Sequence, residues 1–597
     1  MADAHKHRFS SHNYGVYRTL AAIGFMLCVG VWLRWIDIST ESLWTDELYS
    51  LHWSGKQVQQ ILANAAADVH PPTYYILLHW WTQCFGTSEA ALRGLSVLFG
   101  VLALPLMYLL GSALLGTRAG LAAAWMLAVS HFHVYYSQEA RNYTLVVFCS
   151  VWSMHAFWFI LRRMLEQPHT THLSGNNPGE HRAQQEFLQQ SLTQQSFLQR
   201  FHYSFAAAAL YYVLATIVLM HTHLFALFVV VAQNAAVCVL VAQGLWNERN
   251  QPEERSKTHY KTTIRRWIIL QSTLLVLFLP WLNILMRQIL SVGRQGFWIE
   301  EPTAFTLAET FAEYAGGYWL LIIMGALTLW GGYCLWTGKS MNIQLISKAR
   351  LAEMHEVHTQ PHRELLALRI WILLLWLALP IAIPLIKSFL STPSIYYIKY
   401  TIPALPAFLL LVVAGWSEVS SRVLRWCLLV SIILLSLQAV QEEWTTLNKE
   451  RWRETAMLLD AIAAPDDGII VHQWYYTWAL EYYCHKPHSL QGVPSQYLQW
   501  KPEIIEHLVD AATHRRNRVW LVLAQRDARF SMIIKTLVQR GFEQNKEFGT
   551  KVIPSFYRKY FVRDEYDEGQ IVISLLKTYQ TPYIQLICFD RVQTPAH

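Results

Sequence analysis

Three short runs in this chain carry residue types able to do chemistry. The first, Ser42-Leu43-Trp44-Thr45-Asp46-Glu47, sets two carboxylates side by side. The second, His70-Pro71-Pro72, has Asp68 just upstream of its imidazole. The third, Ser137-Gln138-Glu139-Ala140-Arg141-Asn142-Tyr143, packs an acid and a base between two apolar runs. A fixed carboxylate can take a proton from an attacking hydroxyl, so Asp46 is a candidate general base. Glu47 beside it can orient an acceptor or hold a metal. His70 can contact a phosphate or a metal, with Asp68 assisting. Glu139 and Arg141 can form a second catalytic loop, the acid facing Asp46 and the guanidinium facing an anion.

Each run also has a plainer explanation. Asp46–Glu47 fits a solvated loop with Trp44 as an interfacial anchor. Proline suits the first turn of a helix, so His70-Pro71-Pro72 fits a helix start. Glu139 and Arg141 fit an internal salt bridge. Asn142-Tyr143-Thr144 matches a glycosylation sequon but lies against an apolar run, and is discounted. Two later groups have the same dual character. His221-Thr222-His223 can bind or merely hydrogen-bond between helices. Lys399, in Tyr397-Ile398-Lys399-Tyr400, can snorkel to headgroups or serve as a cation for a lipid phosphate.

These residues need elements to hold them. Of 597 residues, 53% are hydrophobic and only 15% charged, against about a quarter charged in soluble proteins. Apolar runs of about 20 residues, the length that crosses a bilayer, recur from Thr19 to Val440. From Gln441 onward the runs shorten and charge rises. The chain therefore divides into a membrane module, 1–440, and a soluble domain, 441–597. The net charge of +7 calls for no nucleic acid; its content lies in where Lys and Arg sit. No zinc-type cysteine pairs and no Gly-rich nucleotide loop are found. Cys28, Cys149, Cys238, Cys334 and Cys427 lie within apolar runs. Cys484 and Cys588 fall in the soluble domain and can pair if it is outside the cytoplasm.

Basic residues precede the first apolar run, Thr19 to Ile38, which lacks a small-residue cleavage site after it. It is expected to be a retained helix with a cytoplasmic N-terminus. Pro71 to Phe85 is too short to span and is expected to lie along the outer surface as an interfacial helix. Further spans are expected at Ala90–Leu110, Ala119–Val134, Tyr143–Leu161, Phe205–Met220, Leu224–Leu245, Trp267–Leu285, Tyr318–Trp336, Leu368–Ile386, Ile402–Trp416 and Leu424–Val440. With about eleven spans, the Lys/Arg-rich loops alternate to one side. The polar, Gln-rich stretch after Arg162-Arg163 is then cytoplasmic. The three runs, His221, His223, Lys399 and the C-terminal domain are then extracytoplasmic. Ionisable residues gathered at one membrane face mark a site by default, and suggest an enzyme for a lipid-linked substrate.

The C-terminal segment predicts a mixed α/β domain. Trp452–Ala464 has an amphipathic helix pattern and Glu503–Ala512 looks helical. Gly468–Val471 and Arg518–Leu523 are buried-strand candidates. Trp474, Tyr475, Tyr476 and Trp478 are assigned to the core in preference to a sugar-stacking surface.

The motifs together resemble the N-terminal module of GT-C glycosyltransferases. The resemblance rests on Trp44-Thr45-Asp46-Glu47, His70-Pro71-Pro72 with its aromatic helix, Ala91-Leu92-Arg93-Gly94-Leu95-Ser96, and Ser137 to Tyr143. The nearest branch is the dolichyl-phosphate-mannose protein mannosyltransferase-like family, which includes the aminoarabinose transferases that modify lipid A. Tyr397-Ile398-Lys399-Tyr400-Thr401-Ile402-Pro403-Ala404-Leu405-Pro406 is similar to a later family segment that usually has Arg where this chain has Lys399. That substitution keeps a cation and loses a bidentate phosphate fork.

The resemblance implies a catalytic role for Asp46, with Glu47 beside it and Glu139 as the second-loop acid. It implies carrier-phosphate contacts by His70, Arg141, Lys399 and Tyr400. Asp68, Tyr143, His221 and His223 are further candidates. The donor would be a sugar on a polyprenyl phosphate; the acceptor would be a lipid, protein or glycan hydroxyl. One displacement at the anomeric carbon predicts inversion. A divalent metal held by Glu47, His70 or Glu139 can also stabilise the leaving phosphate. The competing reading is a non-enzymatic transporter or flippase of a lipid-linked sugar. Such a protein needs a polar pathway across the bilayer, whereas these spans contain few charges and no clear inverted repeat of interrupted helices.

Overall fold

The structure, a computed structural model, describes residues 2–165, 204–250, 254–295, 299–337, 360–445, 449–493, 501–524, 530–545 and 584–592. The Gln-rich loop expected after Arg163 falls mostly outside the described residues. The chain forms two compact units. One comprises 1–36, 57–80 and 93–443; the other comprises 37–56, 81–92 and 444–597.

The first unit is helical. Among the described residues, nine helices are long and apolar enough to cross a membrane. Two more of the expected spans are shorter helices, Thr117–Val129 and Phe205–Met220, of 13 and 16 residues. Among the described residues, nine of the about eleven expected spans are thus long enough to cross by length alone. The span expected over Ala119–Val134 stops early because Ser130 leaves helical geometry and caps a new helix, His131–Ser137. Arg34, fully buried in the first span, secures that break. It donates to the carbonyls of Leu127 at 3.1 Å and Ala128 at 2.9 Å. Those are last-turn carbonyls that would otherwise lack partners. Arg34 also reaches Ser137 Oγ at 3.1 Å and His133 Nδ1 at 2.7 Å, on the new helix.

Polar residues inside this unit pair across helices. Gln233 Nε2 donates to Ser153 Oγ at 2.9 Å, and Tyr212 OH donates to Gln233 Oε1 at 2.9 Å. Such bonds replace the water that the bilayer lacks. The helix Leu405–Ser417 is buried along its whole length. It approaches Tyr318–Trp336 so closely that a Cβ on Gly415 would collide with the Leu327 carbonyl. Small residues allow this backbone approach, and it anchors the 3-10 turn Ile398–Ala404 that carries Lys399 and Tyr400.

In the second unit, five strands lie in the order β2-β1-β3-β5-β4: β1 Gly468–His472, β2 Ser489–Val493, β3 Arg518–Leu523, β4 Phe542–Gln544 and β5 Gln585–Arg591. β1 runs parallel to β2 and β3, while β5 is antiparallel to β3 and β4. Helices Trp452–Ile462 and Pro502–Thr513 match the amphipathic segments read from the sequence. Ile470, Leu521, Val493 and Val509 belong to one buried cluster. Both Cys484 and Cys588 are free thiols. Of the aromatic group assigned to the core, Tyr476 alone is fully buried; Trp474 is 42% exposed. Trp474 begins a short 3-10 turn whose geometry turns its ring outward while Tyr476 points in.

The sequence boundary at 440/441 treats Asp37–Lys56 as a loop of the membrane module. Hydrogen bonds instead knit that segment to the C-terminal chain. Ser42 Oγ donates to the Glu450 carbonyl at 2.5 Å, and Leu43 N donates to Tyr483 OH at 2.7 Å. Lys449 N donates to Glu41 Oε1 at 3.0 Å. Arg453 and Tyr483 both bind the Glu89 carboxylate. A polar loop folds where its backbone finds partners.

Candidate active site

In the first unit, the turn Gln138–Asn142 joins two buried helices and is itself held by backbone bonds. Ser96 Oγ donates to the Arg141 carbonyl at 2.9 Å, and Asn142 Nδ2 donates to the Thr222 carbonyl at 2.8 Å. Asn142 is thus an internal anchor, in line with discounting the sequon. Glu139, Arg141 and Tyr143 are all buried.

Arg141 Nη2 lies 3.2 Å from His70 Nε2, and His70 Nδ1 lies 3.0 Å from Asp68 Oδ2. A guanidinium only donates, so His70 Nε2 must accept. Its proton then sits on Nδ1 and is donated to Asp68. This is a neutral imidazole that orients Arg141. Arg141 Nη1 also donates to Tyr75 OH at 3.4 Å. Asp68 is held by its own carbonyl, which accepts from Gln288 Nε2.

Lys399 is 6% exposed. Its Nζ sits 5.6 Å from the Tyr143 ring centroid and 5.0 Å from that of Tyr397. The Tyr400 ring lies 5.2 Å from His223. His223 Nδ1 accepts from Phe225 N at 3.1 Å, capping the turn Leu224–Ala226. Burial first, then the neighbouring positive charges, Arg141 and Lys399 among them, hold this imidazole down to about 3. His223 is therefore the neutral member of a group that includes Arg141 and Lys399. His221 does something else: its Nδ1 binds the Ile217 carbonyl at 2.9 Å and its ring packs on Phe278.

In the second unit, the two adjacent carboxylates separate in role. Asp46 and Glu47 occupy the first turn of the helix Thr45–Ser54, where the helix dipole favours negative charge. Glu47 is fully buried, closes a capping box onto Trp44 N at 3.4 Å, and pairs with Lys449 Nζ at 3.7 Å. Asp46 is half-buried. Glu450 accepts from Thr45 N at 3.1 Å and Thr45 Oγ1 at 2.5 Å. Burial, with the charge of Asp46 adding to it, holds the Glu450 carboxyl above its ordinary range. In the last turn of this helix, His52 stacks on Trp478 at 3.9 Å.

Sequence reasoning named Ser96 only within a family motif and missed Tyr75, Lys449 and Glu450. The charged run Lys449-Glu450-Arg451 directly after the last span was the available signal for the last two.

Residues 69–171 match the family model described as dolichyl-phosphate-mannose-protein mannosyltransferase. The matched segment contains His70, Glu139, Arg141 and Tyr143, and excludes Asp46, Lys399 and Tyr400. No curated protein matches. Among solved structures, ArnT from Cupriavidus metallidurans in the apo state has 11% identity and a TM-score of 0.47, covering 84% of this chain and 92% of that one. The same protein bound to undecaprenyl phosphate has 11% identity and a TM-score of 0.46, covering 96% and 99%. The oligosaccharyltransferase AglB from Archaeoglobus fulgidus, in complex with an inhibitory peptide and a dolichol-phosphate, has 13% identity and a TM-score of 0.45, covering 89% and 73%.

Proposed function

We propose that this protein is a membrane glycosyltransferase that moves a sugar from a polyprenyl-phosphate donor to an acceptor hydroxyl on the extracytoplasmic side. The observation that carries the reading is the hydrogen-bonded series of half-buried Asp68 and His70 with buried Arg141, the last two in a segment that matches a family described as dolichyl-phosphate-mannose-protein mannosyltransferase. A buried guanidinium held in place is suited to an anion.

The acceptor oxygen attacks the anomeric carbon while the bond from that carbon to the phosphate oxygen breaks. The electron pair leaves with the phosphate. Asp46 takes the acceptor proton, and Arg141 and Lys399 stabilise the charge growing on the leaving group. A single displacement inverts the anomeric centre. The role of Asp46 rests on the motif resemblance and on its place in the first helical turn. Phosphate stabilisation is assigned to these cations in preference to a divalent metal. Both ring nitrogens of one expected metal ligand, His70, are engaged by Asp68 and Arg141, and Oε2 of another, Glu47, is engaged by Lys449.

The test is transfer of labelled sugar from a panel of polyprenyl-phosphate donors by purified protein in detergent, with product stereochemistry read by NMR. Transfer with inversion supports the reading. Retention contradicts the single displacement. Donor movement in sealed vesicles without transfer in detergent contradicts the enzyme and favours a flippase.

A further inference from the structure

Three metal-ligating side chains converge in the second unit, apart from the residues assigned to transfer. Asp460 lies on the helix Trp452–Ile462. Cys484 caps the C-terminus of the helix Thr477–Tyr483, and His488 immediately precedes β2. A carboxylate oxygen, the thiol sulfur and an imidazole nitrogen all lie within 4.8 Å of one another. His488 Nε2 is 2.7 Å from Asp460 Oδ1, and the His488 side chain is only 3% exposed. Two backbone amides fix the carboxylate: His485 N donates to Oδ2 at 2.7 Å and Lys486 N to Oδ1 at 3.3 Å. The solvent-facing imidazole of His485 is 3.6 Å from Asp460 Oδ2.

We propose that Asp460, Cys484 and His488 form a zinc site, with His485 or water as the fourth ligand. Zinc bond lengths place tetrahedral ligand atoms about 3.3–3.8 Å apart. To meet that range the widest separation needs to close by about 1 Å and the Asp460–His488 pair, at 2.7 Å, to open by about 0.6 Å. One sulfur, one nitrogen and one oxygen suit zinc; magnesium and calcium take oxygen ligands. Binding displaces the Cys484 thiol proton to solvent and leaves the thiolate on the metal.

The ion would tie together three elements that are otherwise joined by hydrogen bonds. Two of them also hold the Ser39–Ser54 segment. Tyr483 OH accepts from Leu43 N, Trp478 stacks on His52, and Arg453 donates to the Ser39 carbonyl. The role is thus structural, and the proposal stands or falls independently of the transfer reaction.

The test uses the full chain in detergent, stripped with chelator and then titrated with zinc or cobalt. Cys484→Ser and His488→Gln are compared with Cys588→Ser as a thiol control. Wild type and Cys588→Ser are expected to retain one zinc per chain and to melt at a higher temperature with zinc. With cobalt they should show thiolate-to-metal absorption in the near ultraviolet. Cys484→Ser should lose that absorption, and His488→Gln should bind about a hundredfold more weakly or worse. Zinc retained equally by both variants overturns the proposal, as does a native Cys484–Cys588 disulfide found by mass spectrometry. If Cys484→Ser fails to fold, wild-type cobalt absorption and His488→Gln affinity decide: absent absorption, or unchanged affinity, overturns it.

Discussion

Arg141 Nη2 and His70 Nε2 meet at 3.2 Å, and this contact assigns the imidazole tautomer. It makes His70 a neutral positioning residue between Asp68 and Arg141, a role distinct from the direct phosphate contact that the family resemblance implies.

His70→Leu removes the acceptor that orients Arg141, while His70→Gln supplies another in its amide oxygen. A hydrogen bond to a charged group contributes about 1.5–3 kcal/mol. The expected result is a roughly 10–100-fold rise in donor KM for His70→Leu and a smaller rise for His70→Gln. Steady-state kinetics with varied donor checks both. Equal effects of the two variants would contradict the positioning role.

The two neighbouring carboxylates should separate experimentally. Glu47→Gln removes a fully buried carboxylate that pairs with the buried Lys449 ammonium, and breaking a buried pair is destabilising by up to about 3–5 kcal/mol. It should lower the melting temperature. Asp46→Asn should lower it far less, because Asp46 is half-buried, its charge at the helix start is worth only about 0.3–1 kcal/mol, and its backbone carbonyl, the acceptor for Ser50 Oγ, is unchanged. Thermal melts of both variants in detergent make the comparison.

Lys399 is held over the Tyr143 and Tyr397 rings, so its charge is fixed in direction. Lys399→Met should weaken donor binding by about tenfold or more, since charge-assisted bonds are the strong ones. Lys399→Arg should retain binding. Donor affinity by equilibrium titration reads this out, and unaltered affinity in Lys399→Met would reassign the lysine to headgroup snorkelling.

His223 gives a pH signature. Its ordinary value of 6.5 falls to about 3 in the folded chain. The unfolded chain therefore takes up a proton below its ordinary value that the folded site refuses. The associated stability is full above about 6.5 and is lost as pH falls toward 3. His223→Asn keeps a cap acceptor and does not titrate. Its melting temperature should fall less than that of wild type between neutral and mildly acidic pH.

The sequence carried the long helices well, because apolar length alone defines them. Arg518–Leu523 was equally plain as a short apolar run. The break at Ser130 was not, since it depends on Arg34 arriving from another helix to satisfy freed carbonyls. The union of Asp37–Lys56 with the C-terminal chain was also hidden: Ser42 and Glu450 are 408 positions apart, beyond any local pattern. The burial that sets Glu47 apart from Asp46 was hidden, because its partner Lys449 lies far along the chain. His70 looked like a ligand because a tautomer is set by partners that only the fold supplies.

The most direct test of the central claim is sugar transfer by Asp46→Asn, with donor binding measured in the same preparation. Donor binding at wild-type affinity with transfer reduced by at least about a hundredfold, the low end for a general base, is the predicted result. Transfer at the wild-type rate would contradict the assignment of Asp46 as the base.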